Sequence, residues 1–222
     1  LYKIQVDKSA IQYHFHYDWW KYLIGIVATI FIWTMVTALL RPQIPPEKKV
    51  EIFLVGRFAF DEPLNAISAR MLEDFPELLE INFTNIILEG DPQLEVAGRQ
   101  KLMVMLGSQT GDIFVFNHEE FKMLAEQGAF WPLEGLMDDK IEALISYEDI
   151  DDYRIAVEEL DGQPGEPQIY GLPLNDTTVF DNVFFDVENK VISVMAYSRN
   201  KDNALKVVRW LLESRDSVLP AD

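Results

Sequence analysis

Few groups in this sequence have the types and spacing that chemistry requires. Asp149, Asp151 and Asp152 bring three carboxylates together, the raw material of a Ca²⁺ site. Their spacing is not that of a helix–loop–helix calcium loop, and the loop glycine is missing, so they read as a solvated acidic face. His14 and His16 lie two apart and leave a helix on different faces, which suits interfacial polar residues better than a metal pair. Thr177 and Ser198 are hydroxyls with no His or Lys nearby in sequence, and neither a Gly-x-Ser-x-Gly elbow nor a phosphate-binding loop occurs. There is no cysteine, which removes disulfides, thiolate metal sites and cysteine nucleophiles. The expectation is a protein that is not an enzyme, with no cofactor and no metal.

Binding chemistry has a better address. In an open α/β sheet, ligands sit beyond the carboxyl ends of the strands. Arg57 and Phe58 follow the first predicted strand, Asn117 and His118 the third, and Asn175 and Asp176 a later one. Together they read as a rim for a ligand or a partner. Asn117 reads equally as a helix N-cap, and Asn175-Asp176 as a turn.

Charge divides the chain. Residues 1–49 carry six basic and three acidic residues, and the other 13 basic and 34 acidic residues give residues 50–222 a charge of −21. A domain that acidic repels nucleic acid and anionic lipid, so no nucleic-acid partner is expected. With 49% hydrophobic and 25% charged residues, the composition is that of a folded chain.

Between the two parts lies residues 23–40, LIGIVATIFIWTMVTALL, without a charge. Extended through Trp19, Trp20 and Tyr22, the run is long enough to cross a bilayer as a helix. Tyr17, Trp19, Trp20 and Tyr22 form an aromatic belt at one end, and Arg41-Pro42 stops the helix at the other. The stretch is too long for a signal peptide, its flank is aromatic, and no A-x-A pattern follows. Gly25, Ala28 and Thr29 make a strip of small residues that permits close approach of another helix, with mid-span Trp33 in the same contact. The organisation expected is a juxtamembrane amphipathic segment at 1–18, a transmembrane helix at 19–40, a proline-rich spacer at 41–49 and a soluble domain at 50–222.

Strand and helix patterns alternate through that domain. Apolar runs at 50–55, 81–88, 112–116, 169–174, 179–186 and 191–196 read as strands, the fourth interrupted by Pro173 and so near a sheet edge or crossing. Helical periodicity predicts helices over 63–75, 93–106, from Asn117 to Gly128, and over 202–213. Leu94, Gly98, Leu102 and Met105 mark the inner face of the second, and Asn117 with Glu120 resembles a capping box. Repeated β-α-β units imply a mostly parallel sheet flanked by helices.

At residues 99–134 the sequence resembles the first lobe of bacterial extracellular solute-binding proteins of ABC importers. The features are a Lys-Leu- and Met-rich helix, the Asp112–Phe116 strand, and Leu124-Ala125-Glu126-Gln127-Gly128 running into Trp131-Pro132-Leu133. Tyr170-Gly171-Leu172-Pro173 after the Asp161-Gly162 turn and the closing helix at 203–212 are similar to theirs. The aromatic box before the span resembles single-pass proteins of Gram-positive bacteria, which places the N-terminus in the cytoplasm and the domain outside the cell. The resemblance implies a single lobe of a periplasmic-binding-protein-like fold, because the 15 or so residues between Asn175 and Lys190 cannot hold a second lobe of roughly 50 residues. It further implies an accessory scaffold or docking subunit of an ABC transporter, with other integral membrane subunits as partners. The alternatives are a receptor that binds a small solute by completing its cleft with a partner, and an α/β enzyme whose site is unrecognised. On this topology, protease added to intact, wall-stripped cells removes the acidic domain. Full protection of the domain would reverse the orientation.

Overall fold

A computed structural model describes residues 8–40, 44–144, 150–157, 165–174, 177–181 and 183–214. The chain divides into two compact units, Leu1–Gln43 and Ile44–Asp222. Asn175, Asp176 and Asp149 lie outside the described residues.

The first unit contains one unbroken helix, α1 (Lys8–Leu40). Its Trp19–Thr37 stretch is long and apolar enough to cross a membrane, and none of that stretch is buried within the structure. Three mid-helix hydroxyls need no outside partner. Thr29 donates to the Gly25 carbonyl, Thr34 to Ile30 and Thr37 to Trp33, at 2.8–2.9 Å.

In the second unit β1 (Lys49–Gly56) lies between β2 (Glu80–Ile87) and β3 (Ile113–Asn117), parallel to both. Beyond β3 come β7 (Lys190–Val194), antiparallel to it, and then β6 (Leu172–Pro173), antiparallel to β7. β6 therefore runs the same way as β1, β2 and β3, and the sheet is mostly parallel. A separate pair joins β4 (Arg154–Ile155) to β5 (Gln168–Ile169). Between β5 and β6 the chain passes from one sheet to the other at Tyr170-Gly171, which is the crossing suggested by Pro173. The Leu174 amide donates to the Lys190 carbonyl at 3.0 Å, closing the β6–β7 connection across its base.

Helices cover both faces. On one, α2 (Asp61–Asp74) and α6 (Lys201–Glu213) pack with Ile52, Leu54 and Ile113 in a core that includes Leu64, Ile67, Met71, Val207 and Leu211. On the other, Phe53, Val55, Phe114 and Phe116 join Leu102 of α3 (Pro92–Gly107) and Phe121 of α4 (His118–Glu126). The short α5 (Asp139–Leu144) adds Ile141 to the first core. Asn117 accepts from the Glu120 amide and Gly128 follows α4 at φ +71°, as the sequence suggests, and Asp91 caps α3 by accepting from the Gln93 amide.

Some local expectations are corrected. The described residues of 179–186 include no strand; they form turns and irregular chain, and Val179, Phe180, Val183 and Phe185 are buried as a plug over the first core. Burial alone explains their apolar character. Among the prolines of 41–49, Pro46 opens a 3₁₀ turn, Pro46–Lys48, where an extended spacer was expected. Leu94 is exposed rather than inward, and Val96, Met103 and Val104 on α3 are exposed as well.

Gly98 decides how closely α3 sits on the sheet: a Cβ there would stand 1.8 Å from the Ile87 carbonyl oxygen. Gly107 on the same helix has open space around it. In a chain beginning at Ile44, cooperative thermal unfolding is expected. There Gly98→Ala should cost about 3 kcal/mol by overpacking against backbone. Gly107→Ala should gain up to about 1 kcal/mol from helix propensity. Equal effects in thermal melts would show that α3 is free to shift.

Candidate functional site

The carboxyl edge of the parallel strands is where Gly56, Ile87 and Asn117 end β1, β2 and β3, and where antiparallel β7 begins at Lys190. Asn117 and Lys190 are register partners. Lys190 is almost fully buried, its side chain 4% exposed, and its ammonium lies 2.9 Å from Glu89 Oε1. Arg57 reaches the other oxygen of the same carboxylate, Nε to Oε2 at 3.4 Å. The Lys190 ammonium also lies 5.9 Å from the Phe185 ring centroid. Gly56, at φ +156°, leaves room for it; a Cβ would stand 2.7 Å from Nζ. Nearby, burial holds the half-buried Glu120 carboxyl above its ordinary range, against the pull of Lys190 and Arg99.

Above this charged floor stands an aromatic group. Phe58, Ala59 and Phe60 alternate out, in and out, so both phenylalanines face solvent while Ala59 is buried. The Phe60 ring meets Phe58 edge-on at 5.3 Å and Phe184 edge-on at 5.1 Å. The Phe60 amide donates to the Val183 carbonyl at 3.1 Å, which stitches the start of α2 to the turn ahead of β7. Phe184 is 73% exposed and has φ +61°. A bulky residue in the left-handed region is strained by roughly 1–2 kcal/mol, and exposure returns little of that through burial. Among the described residues, the edge contact with Phe60 is the ring contact that offsets this strain.

The sequence rule for strand ends thus meets the structure at Arg57, Phe58 and Asn117. Asn117 is engaged as the α4 cap, and the partly buried His118 packs against Tyr153, ring centroids 5.4 Å apart, with its amide donating to the Asn189 carbonyl. Phe60, Glu89, Phe184 and Lys190 were missed. The one sequence signal was Phe60, two residues after Phe58; the others arrive through β7, whose direction no local pattern reveals.

At the amino edge, a polar pocket of about 330 Å³ is lined by Lys49, Glu51, Asp112, Tyr197, Ser198 and Arg199, among others. Here Ser198 donates to Asp112 Oδ1 at 2.6 Å, and the other carboxylate oxygen accepts the Glu51 amide. Burial pushes the Asp112 carboxyl above the usual carboxylate range, opposed by these two hydrogen bonds. Ser198 fastens the edge of β1 through Asp112, while Thr177 donates to the Leu211 carbonyl at 2.8 Å and anchors α6. Both hydroxyls are therefore engaged structurally.

The Lys190–Glu89 pair predicts an asymmetry. Glu89→Gln leaves a buried ammonium without its counter-charge and should cost about 1–2 kcal/mol, reduced from the fully buried case because Glu89 is partly exposed. Lys190→Met fills the same space without charge and should cost under about 1 kcal/mol. Urea unfolding of the two variants checks the order; a larger loss in Lys190→Met would mean that the pair is net stabilising.

No family model matches the sequence, and no curated protein matches it. Among solved structures, the chain is similar to an extracellular solute-binding protein of family 1 from Alicyclobacillus acidocaldarius, at 19% identity and a TM-score of 0.38 over 59% of this chain and 29% of that one. A putative oligosaccharide periplasmic-binding protein from Synechococcus, in complex with zinc, aligns at 16% identity and a TM-score of 0.41, over 56% of this chain and 27% of that one. An ABC substrate-binding protein from Listeria monocytogenes, in complex with cycloalternan, aligns at 19% and 0.38, over 60% and 33%. The chain spans about a third of the length of these solute-binding proteins.

Proposed function

We propose that the chain is a non-enzymatic accessory subunit of a membrane complex, an ABC transporter by its sequence resemblance, that docks through the aromatic rim of its outer domain. The observation that carries this reading is Phe184: exposed, in a left-handed conformation, and edge-on to the exposed Phe60. Residues held in such conformations against their own preference cluster where a protein makes contacts. Exposed aromatics gathered on one patch are what protein interfaces use as anchors.

The anchor of the assembly is α1, a single span with its N-terminus in the cytoplasm and residues 44–222 outside. Its apolar circumference supports this, since a helix hydrophobic all round needs a lipid or protein environment. Gly25, with nothing near its missing Cβ, and Ala28, Thr29 and Trp33 then supply the lateral contact with a partner helix. Within the outer domain the rim stands at the carboxyl edge of the sheet, the opposite end from the chain's entry at Lys49.

Phe184→Asn separates docking from stability, because asparagine tolerates the left-handed region. The variant should melt within about 1 kcal/mol of the parent, the relief of strain offsetting one lost edge contact. Recovery of partner subunits with the full chain in mild detergent should fall several-fold. Unchanged recovery would remove the rim from the docking surface.

A further inference from the structure

The charges around the rim have a pattern that the aromatic contact alone does not require. The cations near the carboxyl edge have carboxylate partners: the buried Lys190 and the exposed Arg57 share Glu89, and Arg99 pairs with Glu95. The carboxylates beside the aromatics are not so paired. Asp61 and Glu62 follow Phe60 directly, Asp181 precedes the Phe184 turn, and Asp186 and Glu188 follow it. All five are exposed, and none makes an ion pair among the described residues. The Phe60–Val183 hydrogen bond holds these two segments side by side, so a collar of exposed carboxylates flanks the exposed aromatics, with Arg57, paired to Glu89, beside Phe58.

Local roles account for part of this. Asp61 and Glu62 suit the positive end of α2, and Asp186 accepts the Glu188 amide. Those roles fix where the carboxylates stand and leave them unneutralised. A partner with carboxylates opposite the collar would meet like charge, and an uncharged one would bury carboxylates without compensation; each costs affinity. Resting on the docking reading above, we propose that the occupant of the rim is a protein segment that places an apolar side chain among Phe58, Phe60 and Phe184 and arginine or lysine side chains against Asp61, Glu62, Asp181, Asp186 and Glu188. Encounter is then steered by charge and weakens with salt, while the aromatic contact sets how long the complex lasts.

The test uses the full chain in detergent micelles and a labelled peptide of alternating arginine and serine with a central leucine, beside a counterpart with glutamate for arginine. The basic peptide should bind and lose affinity about tenfold between low and physiological ionic strength; the acidic one should not bind. Asp61→Lys with Glu62→Lys should weaken the basic peptide about tenfold. Since those changes also disturb the first turn of α2, Asp181→Lys with Glu188→Lys provides the same reversal on the other segment. Glu126→Lys with Glu142→Lys makes an equal change of net charge on α4 and α5 and should leave binding within about twofold. An equal loss in that control would assign the attraction to the overall charge and overturn the collar. So would basic-peptide binding unchanged by either rim reversal. If Phe184→Asn lowers partner recovery while the rim reversals change nothing, docking stands and the cationic partner falls. If Phe184→Asn leaves recovery unchanged, the docking reading itself fails.

Discussion

From Ile52 to Val55, β1 has no polar face. Ile52 and Leu54 belong to one core, Phe53 and Val55 to the other, and all four are buried. A strand so placed cannot turn any of its backbone toward water, so its amides and carbonyls must be met by neighbours on both sides. β2 meets it over the full register from Lys49↔Glu80 to Gly56↔Ile87, and β3 from Ile52↔Ile113. Everything else follows from covering the two apolar faces that this arrangement creates. Gly98 allows α3 to come down on the end of β2, and Gly111, at φ +101°, lets the chain pass close under Phe53 and Phe114 on its way into β3. The carboxyl edge is then fixed by the ends of three parallel strands, before any residue of the rim is considered.

Two kinds of group stand at that edge, and they contribute differently. In the Lys190–Glu89–Arg57 cluster only Lys190 is buried; its ammonium ties the start of β7 to Glu89, beyond the end of β2, while Arg57 reaches the same carboxylate from the surface. Its net worth is small; removing the Glu89 charge, which leaves the buried Lys190 ammonium without its counter-charge, costs more than removing Lys190. The phenylalanines and the carboxylates beside them are outward; they make ring contacts and local helix-end and turn contacts but bury little area and form no ion pair among the described residues.

Most strands were legible because strands buried on both faces leave continuous apolar runs. Those at 50–55, 81–88, 112–116 and 191–196 appear as β1, β2, β3 and β7 with ends displaced by a residue or two. The same signal misread 179–186, since a buried plug of turns around Val179, Phe180, Val183 and Phe185 has the composition of a strand. β4 and β5, two residues each, are too short to carry any period. At the rim, Arg57 and Phe58 follow from the topology rule alone. Phe184, Glu89 and Lys190 do not, because the first depends on a single backbone hydrogen bond from Phe60 and the others on a pairing about a hundred residues apart in the chain. The inner face of α3 was read correctly at Gly98, Leu102 and the partly buried Met105 and wrongly at Leu94, because a helix with apolar residues on several sides does not declare where the covered face ends.

The hydrogen bond from Leu174 to the Lys190 carbonyl has a consequence for what the fold can tolerate. It seals the sheet across the base of the β6–β7 connection, so the strands on either side make the same contacts whatever chain joins them. The entropy of closing a flexible loop grows only with the logarithm of its length, about 0.6 kcal/mol for each doubling. Lengthening this connection from its present 15 residues or so to the size of a whole domain would take about three doublings, or roughly 2 kcal/mol. Closure entropy therefore limits the length of this connection only weakly; what the fold cannot spare is the burial of Val179, Phe180, Val183 and Phe185 in the first core. The connection is a place where added chain is cheap provided that the plug stays.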